Sequence, residues 1–132
     1  MDKITPSVFR AYDIRGIYPK EINEETVRVV VQFLSQSVFS EGKIVVAMDA
    51  RQSSKKLFRA VKNALKGREL IEVGYATTPM FYYLSNRFSA AGGVMVTASH
   101  NDQEWNGLKV VGPRAEAISG DEIEERMKKN EN

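Results

Sequence analysis

The chain has 132 residues, 42% hydrophobic and 27% charged, and its 19 basic and 17 acidic residues leave a formal net charge of +2. This is the composition of a soluble globular protein, with room for one domain over residues 1–132 and a real core. The charge is too balanced to point to nucleic acid as a partner. The lack of cysteine excludes a disulfide scaffold, a thiolate metal site and a cysteine nucleophile, and a single histidine, His100, excludes any site built on two imidazoles. No apolar run approaches a membrane span and the N-terminus has no apolar signal core, so no membrane partner and a cytoplasmic location are expected.

The first periodic segment covers residues 24–39, where Val27, Val30, Val31, Leu34 and Val38 share one helical face. Asn23 suits its N-cap, and Glu24 and Glu25 suit its first turn. Lys43–Met48 then reads as a buried strand, followed by a polar turn from Asp49 to Gln52. Ser53 or Ser54 can cap a second helix carrying Leu57, Val61, Ala64 and Leu65, which ends at Gly67. Glu69–Val73 is the next strand, stopped by Gly74. Thr78-Pro79 opens a third helix running to about Arg87. Gly92-Gly93 precedes a strand at Val94–Thr97, a polar loop runs from Ser99 to Asn106, and Gly107–Val111 is the fourth strand. The last helix starts at a capping box, Ser119 with Glu122, flanked by Ile118 and Ile123 at the staple positions, and its polar tail from Arg126 to Asn132 is expected to fray.

Strands alternating with helices predict an α/β fold: a three-layer α/β/α arrangement with a mainly parallel four-stranded sheet between helices. Ligands of such sheets bind beyond the carboxyl ends of the strands, which points to the loops Asp49–Ser53 and Ala98–Asn106. The second loop is the densest polar cluster of the chain and holds a hydroxyl, the one imidazole and the one tryptophan. The residues alone leave it open as a solvated turn, since turn residues gather in loops for backbone reasons. A serine hydrolase has little support: there is no G-x-S-x-G, and adjacent Ser99 and His100 side chains diverge. No Walker A motif exists, and the aspartates are too scattered for a metal loop made by this chain alone.

Thr97-Ala98-Ser99-His100-Asn101 followed by Asn106-Gly107-Leu108-Lys109 resembles the phosphoserine loop of the α-D-phosphohexomutases, the family of phosphoglucomutases, phosphomannomutases and phosphoglucosamine mutases. Phe9-Arg10-Ala11-Tyr12-Asp13-Ile14-Arg15-Gly16 is similar to the family's N-terminal arginine motif. Asp49-Ala50-Arg51-Gln52-Ser53-Ser54 is similar to its first strand-end turn, and Gly74 through Thr78-Pro79-Met80 matches a weaker signature. Together the segments extend from about Phe9 to Met127.

The resemblance implies the first of four domains of an isomerase that moves a phosphoryl group between the 1- and 6-positions of a hexose phosphate through a bisphosphate. Ser99 would carry the phosphoryl group. His100 would sit beside it as a hydrogen-bonding or proton-handling group, unless it only shapes the turn. Lys109 would be a general base, a role that partial burial or a neighbouring cation favours. Arg15, Asn101 and Lys109 would hold phosphate, with an ion pair to Asp13 or Asp49 as the alternative for Arg15. Arg51 reads as structural. Mg²⁺ would touch the phosphate on Ser99, with its other ligands supplied by a second domain absent from this sequence, and hexose 1,6-bisphosphate would be the activator. The expected partners are a hexose phosphate and the remaining mutase domains, in the same or another chain. The domain alone would not turn over, and the face that meets its neighbours would be apolar and prone to self-association. The family usually has Pro after Ser-His-Asn. Asp102 stands there instead, which predicts a more mobile loop. Trp105 replaces the usual Tyr. A different class of function, a non-catalytic sugar-phosphate-binding or protein-docking module, fits the same residues.

Overall fold

The computed structural model describes residues 3–131. In chain order these form β1 (Ile14–Ile17), α1 (Glu24–Ser37), β2 (Ile44–Met48), α2 (Ser54–Ala64), β3 (Leu70–Tyr75), α3 (Thr78–Arg87), β4 (Gly92–Val96), β5 (Trp105–Val111), β6 (Ala117–Ile118) and α4 (Gly120–Glu131). Two short 3₁₀ turns, Pro6–Val8 and Pro113–Ala115, lie outside this series.

The α/β/α layering is as expected, but the sheet has six strands in the order β1-β5-β4-β2-β3, with β6 on β5, rather than four. β4, β2 and β3 are mutually parallel. β5 runs antiparallel to β4, and β1 and β6 pair antiparallel along the same edge of β5. The sheet is therefore mixed, with a parallel core.

Side-chain alternation divides the core between the two faces of the sheet. Ile44, Val46 and Met48 of β2, Val94 and Val96 of β4, and Leu108 and Val110 of β5 pack with Val27, Val30, Val31 and Leu34 of α1, Leu57, Phe58 and Val61 of α2, and Ile123 and Met127 of α4. Val45, Ala47, Met95 and Val111 face the other way, onto Phe81 of α3. Burial on both faces is why β2 and β4 read as unbroken apolar runs. Gly92 and Gly93 belong to β4 instead of preceding it. A Cβ on Gly93 would lie 2.8 Å from the Phe81 ring and one on Gly92 2.5 Å from the Phe39 ring, so both positions admit aromatic packing that any side chain would block.

Element ends follow local chemistry. Asn23 Oδ1 accepts the Thr26 N–H at 2.9 Å and caps α1 as expected. The α3 cap is Thr77 rather than Thr78, its Oγ1 accepting the Met80 N–H at 3.2 Å. β3 does not stop at Gly74. The register against β2 slips between Val46 and Ala47, which leaves Val73 as the extra residue, and Gly74 takes φ +77° and carries the strand on to Tyr75. The Glu122 N–H donates to Ser119 Oγ at 3.1 Å. The tail beyond Arg126 continues as helix to Glu131, because Met127 is buried and Arg126, Lys128 and Lys129 pair with Glu122, Glu124 and Glu125 one turn back. Asn132 lies outside the described residues. Among the described residues no helix is long and apolar enough to cross a membrane.

Candidate active site

The carboxyl ends of β2, β3 and β4 lie at one edge of the sheet, and α3 covers only part of the face beside them. The uncovered part is an open cleft of about 630 Å³ lined by Asp49, Thr77, Thr97, Ser99, His100 and Lys109, among others. Both loops expected at this end contribute to it. The segment Ala76–Pro79 after β3 also lines it, as the strand-end rule allows for every parallel strand.

Ser99 is half-buried in the loop that follows β4, and its φ is +52°. A non-glycine residue in this left-handed region costs on the order of 1–3 kcal/mol, and such residues concentrate where a side chain has to be presented to a ligand. Several bonds hold the strained conformation. The Ser99 N–H donates to Thr97 Oγ1 at 3.0 Å, and Thr97 Oγ1 donates to Asp49 Oδ2 at 2.8 Å. The Ser99 carbonyl accepts from Arg51 Nη2 at 2.9 Å.

Arg15 lies on β1 opposite Gly107 and reaches the same serine. Its Nε and Nη2 grip the Asp13 carboxylate at 2.9–3.1 Å, its Nη1 donates to Asn101 Oδ1 at 2.8 Å, and its Nη2 lies 3.4 Å from Ser99 Oγ. Lys109, next but one to Gly107 on β5, joins the same carboxylate, with Nζ 3.2 Å from Asp13 Oδ2. Arg15 thus stands beside the hydroxyl and Lys109 lines the same cleft, both anchored on one buried acid (side chain 3% exposed). Of the two ion pairs open to Arg15, the structure forms the one with Asp13, and the guanidinium still points its other edge at Ser99 and Asn101. His100 is exposed on the rim of the cleft. Arg10 lies over the Trp105 ring, 5.0 Å from its centroid, so the tryptophan is engaged in packing the loop.

Sequence reasoning gathered Arg15, Ser99, His100, Asn101 and Lys109; Ser99, His100 and Lys109 line this cleft, and Arg15 joins it through Ser99 and carries Asn101 on its other nitrogen. The same reasoning offered Asp13 and Asp49 only as ion-pair partners of Arg15 and Ser53 and Ser54 only as caps, and it missed the hydrogen bonds by which these residues and Thr97 hold the site. Ser53 occupies the N-cap position of α2, yet no hydroxyl caps the helix. Instead Ser54 Oγ donates to Asp49 Oδ1 at 2.6 Å, while the Ser53 and Ser54 oxygens accept from Asn106 Nδ2 at 2.8 and 3.1 Å. Two adjacent serines at a helix start were the available signal, since one suffices for a cap.

The Asp102 carbonyl accepts both the Trp105 N–H at 3.0 Å and a guanidinium N–H of Arg51, bonds that use only its backbone. Mg²⁺ finds no complete donor set among the described residues. Among the described residues no three of His, Asp or Glu converge, and the two carboxylates nearest Ser99 already serve other partners: Asp13 holds Arg15 and Lys109, and Asp49 holds Arg51, Ser54 and Thr97. A separate hollow of about 240 Å³, lined by Tyr18, Ser53, Lys56 and Glu104 among others, lies nearby. The Tyr18 phenol there is pushed above its ordinary value, first by burial and then by the Glu24 carboxylate to which it donates.

Residues 6–132 match the family model described as phosphoglucomutase/phosphomannomutase, alpha/beta/alpha domain I. A protein named phosphohexose mutases from Xanthomonas campestris pv. campestris is 41% identical over 120 residues, which is 89% of this chain and 27% of that one. A phosphomannomutase from Escherichia coli is 38% identical over 119 residues, covering 86% of this chain and 25% of its own length. The chain thus spans about a quarter of these two relatives. The crystal structure of a phosphoglucomutase/phosphomannomutase family protein from Burkholderia thailandensis superposes with a TM-score of 0.82 at 31% identity, over 96% of this chain and 30% of that one. With the cleft, its strained serine and the match running almost end to end, the chain belongs to the phosphoglucomutase/phosphomannomutase family and has the fold of its α/β/α domain I.

Proposed function

We propose that this chain is the phosphoryl-carrying domain of a phosphohexomutase, interconverting hexose 1-phosphate and hexose 6-phosphate together with the remaining mutase domains, in the same or another chain, and working in the cytoplasm. The observation that carries the reading is Ser99 itself. It is a half-buried hydroxyl in a strained backbone conformation, with a guanidinium nitrogen 3.4 Å away and a cleft in front of it.

In the forward half-reaction the bond between Ser99 Oγ and phosphorus breaks and a bond from phosphorus to the free sugar hydroxyl forms. The hydroxyl proton passes to a base, and the sugar becomes a bisphosphate. The freed Ser99 Oγ takes up a proton, and in the return half-reaction the bond from phosphorus to the other sugar oxygen breaks, Ser99 Oγ loses its proton as it bonds that phosphorus, and the sugar oxygen is protonated. Such transfers depend mostly on positioning and on stabilising charge over the phosphoryl oxygens. Arg15 and Lys109 supply two cations for that purpose, and Asn101 and His100 supply polar contacts at the rim. Lys109 is the candidate base, and in that role it gives up its share of Asp13. The ligands that complete a Mg²⁺ site around the Ser99 phosphate come, in this reading, from outside the chain.

Incubation with glucose 1,6-bisphosphate and the remaining domains of a mutase, followed by intact-mass measurement and peptide mapping, tests the reading. One phosphoryl group on the peptide containing Ser99 is the expected result. A Ser99 that stays unmodified under these conditions overturns it in favour of the non-catalytic sugar-phosphate-binding or protein-docking module.

The partner domains also need a face to meet. Tyr75, Met80 and Tyr83 are 55%, 47% and 64% exposed, and an apolar hollow of about 400 Å³ lined by Met48, Ala50, Tyr75, Ala76 and Met80 adjoins the Ser99 cleft. Light scattering at high protein concentration is expected to show association that Tyr75→Ser with Tyr83→Ser reduces. A wild-type chain that stays monomeric at every concentration excludes a sticky patch there.

A further inference from the structure

We propose that Asp49 and Arg51 form the positioning device of the Ser99 loop: they fix the nucleophile and so set the rate of phosphoryl transfer, without touching the substrate. The inference rests on Ser99 being the phosphoryl carrier.

The argument begins with a donor inventory. A guanidinium has five N–H groups and no acceptor. In Arg51 all five have a partner within the protein. Nε donates to Asp49 Oδ2 at 3.1 Å. Nη1 donates to the carbonyls of Asp102 and Trp105, the latter at 3.1 Å. Nη2 donates to the carbonyls of Ser99 and Asn101 at 2.9 and 2.7 Å. The side chain is 7% exposed. No N–H is left for a phosphate, so a residue whose charge suggests an anion contact is engaged in holding backbone. Its four carbonyl partners span the whole loop between β4 and β5.

Asp49 supplies the other half. Its Oδ1 accepts the Arg51 N–H at 3.2 Å and Ser54 Oγ at 2.6 Å, which orients the carboxylate against the start of α2. Its Oδ2 accepts Thr97 Oγ1 at 2.8 Å, and Thr97 Oγ1 in turn accepts the Ser99 N–H at 3.0 Å. The pair therefore grips Ser99 from both sides of its Cα, its carbonyl through Arg51 and its N–H through Asp49 and Thr97. The residue so gripped is the one forced to φ +52°. A conformation that a free loop would abandon is maintained by two residues after β2, a strand that neighbours β4 in the sheet.

Two variants separate this role from substrate contact and from gross folding. Arg51→Lys keeps a positive charge but cannot address four carbonyls at once. Thr97→Val keeps the side-chain volume and cuts only the link from Asp49 to the Ser99 N–H. The rate of Ser99 phosphorylation by glucose 1,6-bisphosphate, measured with the remaining mutase domains present, is expected to fall about 100-fold in Arg51→Lys, as a small misplacement of reacting atoms does. The half-saturating bisphosphate concentration is expected to stay unchanged. Amide exchange is expected to accelerate at Asn101 and Trp105 while β2 and β4 remain protected, and Thr97→Val is expected to shift both readouts in the same direction. An Arg51→Lys chain that transfers phosphate at the wild-type rate overturns the proposal. So does one whose loss lies in half-saturation instead of rate, which would make Arg51 a phosphate contact. If Arg51→Lys fails to fold, Thr97→Val alone decides between these outcomes. Failure of the carrier reading shows separately, as wild-type Ser99 without phosphate. The kinetic half of this proposal then falls with it, and loop exchange decides the positioning half.

Discussion

Gly107→Ala is expected to destabilise the protein by at least about 4 kcal/mol, in the range reserved for substitutions with a specific steric cause. A Cβ at this position would lie 1.9 Å from the Ile14 carbonyl oxygen and 2.9 Å from Arg15 Cα. Both contacts are with backbone, so no rotamer change relieves them. β5 would have to move away from β1, and it is hydrogen-bonded on its other side to Thr97, whose hydroxyl holds the Ser99 N–H, since the Gly107 carbonyl accepts the Thr97 N–H at 3.0 Å. The loss therefore propagates to the Arg15–Gly107 pairing on one side and to the Ser99 loop on the other. Against a typical stability of about 5–15 kcal/mol this leaves a marginal protein. Urea unfolding followed by circular dichroism measures it. Gly112→Ala is the control, because its nearest neighbour is a side-chain carbon of Ile118 at 3.5 Å and its φ is −100°. Equal midpoints for Gly107→Ala and wild type would refute the steric argument.

The second large effect is on chemistry. Arg15→Ala is expected to slow Ser99 phosphorylation by about 10²–10³-fold, the usual consequence of removing one preorganised donor from a site of developing negative charge. The guanidinium binds Asp13 through Nε and Nη2, which leaves Nη1 and part of Nη2 directed at Asn101 and Ser99. A lysine offers a single ammonium and cannot do both, so Arg15→Lys is expected to recover little of the loss. The fold should survive, because Asp13 keeps Lys109 at 3.2 Å. A time course of the Ser99 phosphopeptide, with the remaining mutase domains supplied, gives the rate. A wild-type rate in Arg15→Ala would remove Arg15 from the site. An effect confined to hexose phosphate binding, with no phosphate ever on Ser99, would favour the binding-module reading.

Both predictions depend on β1, which could not be read from the sequence. The segment Ile14-Arg15-Gly16-Ile17 has four residues, one of them glycine and one charged, and its one strand partner among the described residues is β5, apart from a single bridge from Ile14 to Phe9. Its pairing is set by a partner some ninety positions along the chain, which periodicity over a short window cannot register. β6 has two residues and is invisible for the same reason. The antiparallel direction of β5 was equally illegible, because Val110 and Val111 are buried whichever way the strand runs. The helices were legible because their apolar spacing spans ten residues or more or because caps such as Asn23 and Ser119 mark their starts, and β2 and β4 because burial on both faces makes them short unbroken apolar runs. The site divides along similar lines. Ser99, His100, Asn101 and Lys109 lie close together in one motif. The strand-end rule flagged the turn after β2 and Asp13 was offered to Arg15, but the Lys109–Asp13 and Thr97–Asp49 bonds join segments far apart in the chain and leave no local signal.

The antiparallel return from β4 to β5 has a further meaning. Ser99 and Lys109 are the two ends of a hairpin, not of a helical crossover, and the hairpin is anchored by sheet pairing on both arms. One residue added between Asn101 and Trp105 has two places to go. Absorbed by the loop, it lifts the carbonyls off Arg51. Absorbed by β5, it shifts the strand by one position and turns Lys109 through to the opposite face of the sheet. The turns that follow α1 and α2 lie at the opposite ends of the parallel strands, so length changes there are expected to leave the geometry of the serine untouched. Insertions are thus tolerated in those turns, and excluded both from the hairpin that bears Ser99 and from the turn after β2 that braces it.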